Sequence, residues 1–137
     1  MNIELLQKVR DAILAEPRRF NMGYWVTDGV TTAPCGTAAC IGGYALVLNK
    51  MEEDKTMDWV RGIHYFTMSP GWIIVTDAQR VLGLTLDQRS RLFNDNCWPN
   101  PYRDQLRSAT DPAKAAKIAA DRIDLFIRTG GTDTETN

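Results

Sequence analysis

The chain has 137 residues, the length of one domain, and can bury about two thirds of its unfolded surface without a metal or disulfide to hold it together. Its 44% apolar and 24% charged residues and formal net charge of −1 exclude a whole-molecule field for nucleic acid or anionic membrane, so any such binding has to be local. Apolar runs such as Ile41 to Leu48 fall short of the ~20 residues that span a bilayer; with no export signal at the N-terminus and an odd number of cysteines, a reduced, cytoplasmic protein is expected.

Ile3, Leu6, Val9, Ile13 and Leu14 recur at helical spacing among charged neighbours, which predicts an amphipathic helix over 2–15 that stops before Pro17. Phe20, Met22, Tyr24 and Trp25 follow around Gly23 and are expected to fold back as a lid on the core. Asp28 to Pro34, rich in Gly, Thr and Pro, marks an exposed connection. Thr37 can cap a helix running through Cys40, Ile41, Tyr44 and Leu48. Gly42 and Gly43 inside it cost about 1 kcal/mol each relative to alanine, which points to close approach of another element.

The acidic run Glu52-Glu53-Asp54 reads as a solvated loop. From Trp59 to Val75, Gly and Pro punctuate many aromatics, and Trp72 to Val75 suits either a short strand or the lead-in to a helix. Asp77 is expected to cap a short helix stopped at Gly83, and Thr85 to Gln88 is a capping box opening another through Leu92 and Phe93. Trp98-Pro-Asn-Pro breaks the chain, and Tyr102 to Ala109 can form a helical piece. Asp111 with Pro112 opens a last helix carrying Ala115, Ile118, Ala119, Ile123, Phe126 and Ile127 on one face, and Gly130-Gly131 ends it. The expectation is a mainly α, bundle-like single domain over 1–131, with room for a small β element in the middle, and a disordered polar tail over 132–137.

Phe20-Asn-Met-Gly-Tyr-Trp, Cys35-Gly-Thr-Ala-Ala-Cys40-Ile-Gly-Gly, Leu82-Gly-Leu, Leu92-Phe93, Trp98-Pro99 and Phe126-Ile-Arg-Thr-Gly-Gly cover nearly the whole folded chain. In their order and spacing the chain resembles a family of small uncharacterised bacterial or phage-associated proteins. That resemblance implies an architecture without a chemistry and brings no catalytic residues with it. Gly43 and Tyr44 stand where the family pattern has alanine and tryptophan, so no role is carried to a tryptophan there.

Several constellations carry side chains suited to chemistry. Cys35, just before a helix, is placed to have an acidified thiol, and a cysteine enzyme would pair it with His64, the one histidine. A half-buried structural thiol is the favoured reading. Cys35, Cys40, His64 and Cys97 form a legitimate zinc donor set, but their spacing lacks the close pairs of structural zinc sites; no metal or other cofactor is expected. Asp77 to Leu92 outlines a helix-turn-helix, yet the alanine precedes the turn glycine by one residue too many and Arg89 falls where an apolar residue belongs. Arg89, Arg91, Arg103 and Arg107 around Trp98 and Tyr102 suit stacking on bases or gripping phosphate, but Asp87, Asp95 and Asp104 nearly cancel them, and nucleic acid is not the expected partner.

Four tryptophans exceed what one small core ordinarily needs, and Trp and Tyr are enriched at recognition surfaces. The sequence therefore favours a non-catalytic accessory protein that binds a protein partner through an aromatic-rich face, with Trp25, Trp98, Tyr102, Arg103 and Arg107 as candidate binding residues. A thiol- or metal-dependent enzyme using Cys35 and His64, and a nucleic-acid-associated regulator, are the alternatives.

Overall fold

The computed structural model describes every residue except Thr31, Thr32, Pro34, Cys35, Thr136 and Asn137. Among the described residues the chain is mainly helical, with a two-stranded β element. Helix α1 spans Ile3–Ala15, and the Asn2 side chain caps it by accepting from the Leu5 amide at 3.1 Å. Its buried stripe is Leu5, Leu6, Val9 and Ile13. Ile3 and Leu14, expected on the inner face, stand more than 40% exposed. A 3-10 turn at Pro17–Arg19 follows, and the chain then folds back as expected: Phe20 is buried, and Met22 and Trp25 pack on the core.

Strands β1 (Val26–Thr27) and β2 (Ala38–Ala39) are antiparallel, with Val26 opposite Ala39 and Thr27 opposite Ala38. This ladder moves the next helix start. Helix α2 spans Ile41–Glu53 with Cys40, not Thr37, at its N-cap. Thr37 is fully buried and accepts the Trp59 indole N–H at 2.9 Å, and the two residues after it are extended in the ladder, so the helix cannot begin there. Gly43 explains the absence of a side chain in this turn: a Cβ on it would overlap the Trp25 carbonyl oxygen.

The stretch that periodicity leaves open is two helices. Asp58 caps α3 (Trp59–Thr67) by accepting from the Arg61 amide, and α4 (Gly71–Leu82) starts directly after Pro70. Asp77 is therefore inside α4 and caps nothing, and Trp72 to Val75 are helical. Gly83, at φ 65°, ends α4 in the left-handed conformation that glycine adopts without strain. The capping box of Thr85 and Gln88 opens α5 (Leu86–Phe93) as expected, a 3-10 turn follows at Asp95–Cys97, and α6 spans Tyr102–Ser108. Asp111 caps α7 (Pro112–Arg128), which packs along α1 and α6, while α2 packs on α1, α3 and α4. Leu82, Leu92, Phe93 and Ile123 all lie in the shared core.

Polarity alone assigned residues 132–137 to a disordered tail, and for the described part this is corrected. Thr132 to Glu135 turn back on α7 because Asp133 has a buried partner: its carboxylate grips the Arg122 guanidinium at 2.6 and 2.7 Å, and Arg122 also donates to the Arg91 carbonyl at 3.0 Å. Both side chains are almost wholly buried. Arg122 lies against the rings of Trp98 and Phe126, at 5.8 and 5.5 Å from their centroids.

Candidate functional site

The thiols and the histidine do not converge among the described residues. Cys35 lies outside them, so the Cys35–His64 pair has no geometry here. Cys40 sits where the lid meets α2, and burial pushes its thiol up to about 11 against the partial help of the Gly42 and Gly43 amides. It is a neutral packing group, expected as such, though at the cap of α2 and not inside the helix. Cys97 is exposed on the turn after α5. His64 faces solvent on α3 with Nε2 3.5 Å from the Asp28 carboxylate. Among the described residues no three His, Cys, Asp or Glu side chains are grouped to hold a metal ion.

Of the candidate binding residues, Trp98 is the clear misplacement. It is 1% exposed, donates its indole N–H to the Leu92 carbonyl at 2.9 Å and offers its ring to Arg122. Its stacking surface is used inside the molecule. Tyr102 packs at the margin of the core. Arg103 lies 3.8 Å from the Asp104 carboxylate, and Arg107 donates to the Asn96 side chain at 2.6 Å. Arg91 is held by Asp87 at 2.7 Å, whereas Arg89 crosses from α5 to α4 and donates to Gln79 at 3.0 Å. Gln79 thus gives a neutral hydrogen-bond acceptor to the arginine that broke the helix-turn-helix register. No described helix is long and apolar enough to cross a membrane.

Two surface features remain. The first is a set of exposed large apolar side chains on α3, its C-cap and the first turn of α4, where Tyr65 is 55%, Met68 89% and Trp72 70% exposed. The backbone of this corner meets the lid: a Cβ on Gly71 would lie 3.3 Å from the Trp25 indole nitrogen. Sequence reasoning named Trp25 from this neighbourhood but missed Trp72 and Met68. Pro70 was the available signal, because it can start a helix whose first turn carries Trp72 outward.

The second feature is a cleft of about 380 Å³ between the lid and α5. Met22, Trp25, Val75 and Phe93 supply its apolar wall, with Trp25 and Phe93 edge to face at 5.9 Å. Arg89 and Asp95 border it with opposite charges. A neighbouring cleft of similar size shares Met22, Gly23 and Asp95. Comparison with known proteins finds no matching family model, no matching curated protein and no matching solved structure.

Proposed function

We propose that this chain is a non-catalytic accessory protein that docks on a protein partner through the aromatic face at the α3–α4 corner. The observation that carries this reading is Trp72 standing 70% exposed in the first turn of α4, beside Met68 at 89%. Leaving a large indole and a thioether in water forgoes a favourable burial of about 1.5–3 kcal/mol for a side chain the size of methionine. Trp, Tyr and Met are the residue types enriched at protein interfaces, and methionine adapts to varied partner shapes. Trp25 borders this corner through Gly71, while Tyr65 turns toward the end of α2, with the Lys50 ammonium 4.5 Å from its ring centroid. The candidate binding set thereby shifts from Trp98 to Trp72 and Met68, while Tyr102, Arg103 and Arg107 lie on and beside α6, away from this corner in the chain.

Site-specific photocrosslinking in the native host tests the proposal. A crosslinker at position 76, exposed one turn after Trp72 on α4, is expected to trap one defined partner, and the trap is expected to vanish when Trp72 and Met68 are changed to serine with the fold intact. A crosslinker at Lys117 on α7 serves as the control. Trapping the same species from both positions, or none from position 76, would discard the reading.

A further inference from the structure

We infer that the cleft between the lid and α5 is a binding site for a free α-amino acid with an apolar side chain. The size, about 380 Å³, lies in the range of small-molecule sites. What narrows the chemistry is the pair of charges at its border. The Arg89 guanidinium has a neutral partner, Gln79 at 3.0 Å, and makes no ion pair among the described residues. The half-buried Asp95 has no ion pair and no side-chain hydrogen bond among them either. Both face the same cavity, yet they do not neutralise each other.

Filling the cleft strips water from both charges, and a charge that loses water without gaining a partner is strongly penalised. A simple anion would satisfy Arg89 and be repelled by Asp95. A simple amine has the converse problem, and a neutral apolar molecule would leave both unsatisfied. A molecule carrying a carboxylate and an ammonium a short distance apart meets both, with the carboxylate toward Arg89 and the ammonium toward Asp95. Its side chain then lies on the apolar wall of Trp25, Phe93, Val75 and Met22. This inference does not depend on the exposed Met68 and Trp72, neither of which lines the cleft.

Isothermal titration of the whole chain with L-phenylalanine and L-leucine tests it, alongside N-acetyl-phenylalanine, which lacks the ammonium, and phenylalaninamide, which lacks the carboxylate. The free amino acids are expected to bind, and each blocked analogue to bind about tenfold or more weaker, the usual consequence of losing one charged hydrogen-bond partner. Asp95→Asn is expected to weaken phenylalanine by a similar factor while strengthening N-acetyl-phenylalanine, whose carboxylate Asp95 repels. Arg89→Gln should do the same for phenylalanine and spare phenylalaninamide, with thermal melting to check the fold of each variant. The analogue series uses the unmodified protein, so it decides the matter even where a variant unfolds. Absence of binding by either amino acid up to about 10 mM, a ligand concentration at which a millimolar site would be nearly saturated, overturns the inference, as does equal binding of the blocked analogues.

Discussion

Changing Asp133 to asparagine should destabilise the protein far more than its place near the chain end suggests. Asparagine keeps the shape and tolerates the positive φ of 60° found at this position, so the substitution removes charge without adding backbone strain. Arg122 would lose its one carboxylate partner among the described residues while keeping its bond to the Arg91 carbonyl. Its Nε already lacks an acceptor among the described residues, and burial depresses the guanidinium pKa despite the opposing effect of Asp133, so the site has little capacity to hold the cation alone. Breaking a buried pair from one side costs about 3–5 kcal/mol. For a domain of this size that corresponds to a fall of roughly 10–15 °C in melting temperature. Glu135→Gln is the internal control, because the Arg128–Glu135 pair is more than half exposed on both sides and is expected to contribute about 0–1 kcal/mol. Calorimetry or thermal denaturation followed by circular dichroism at neutral pH reads both. If Asp133→Asn shifts the midpoint no further than Glu135→Gln does, the buried latch is wrong and the segment after Gly131 is an ordinary tail.

Gly43→Ala should be destabilising by about 1–3 kcal/mol, although alanine is intrinsically the better helix residue by about 1 kcal/mol. The added Cβ would meet the Trp25 carbonyl, with the Ala39 side chain only 3.0 Å away; a urea midpoint that rises would refute the packing of the lid on α2. Cys40 makes stability depend on pH at the alkaline end. Below pH 9 its thiol is protonated in both states, whereas between the ordinary value of 9.0 and about 11 it ionises only in the unfolded chain. The unfolded state then binds fewer protons, so stability falls as pH rises through this window, by up to about 1.4 kcal/mol per unit. Burial also raises the Tyr44 hydroxyl, so the Cys40 share is read as the difference in slope between the native chain and Cys40→Ala. An identical slope in the two would place Cys40 outside the core.

Helix ends with explicit chemistry were legible. Pro17, the Thr85–Gln88 capping box, Asp111 with Pro112, and Gly83 each act where the residue type predicts, because capping is a local matter of one side chain and one or two amides. Thr37 failed as a cap because a distant residue claimed its hydroxyl: the indole of Trp59 reaches it from 22 residues away in the chain. Asp133 failed in the opposite sense. Its surroundings in sequence are uniformly polar, and only the folded position of Arg122, with Trp98 and Phe126 closing around it, makes that carboxylate part of the interior. The candidate site suffered from the same limit, since arginines near a tryptophan in sequence look like a stacking surface for nucleic acid, whereas Trp98 stacks on an arginine contributed by α7.

The tryptophans show why element type had to be known before a surface could be assigned. A buried indole N–H needs an acceptor, and Trp59 and Trp98 have theirs in the Thr37 hydroxyl and the Leu92 carbonyl. Trp72 is governed by register instead. Were Trp72 to Val75 a strand, alternation would put Trp72 and Ile74 on one face, and the burial of Ile74 would have carried the indole inward with it. In a helix, successive residues turn by about 100°, so two positions apart means about 160° around the axis. The buried stripe of α4 is Ile74, Ala78 and Leu82, which places Trp72 on the opposite side, in solvent. The choice between strand and helix at four residues, which periodicity could not make, therefore decides whether Trp72 is exposed. The same register argument predicts that Trp72→Ser leaves stability nearly unchanged while abolishing partner capture, a combination that no core tryptophan could give.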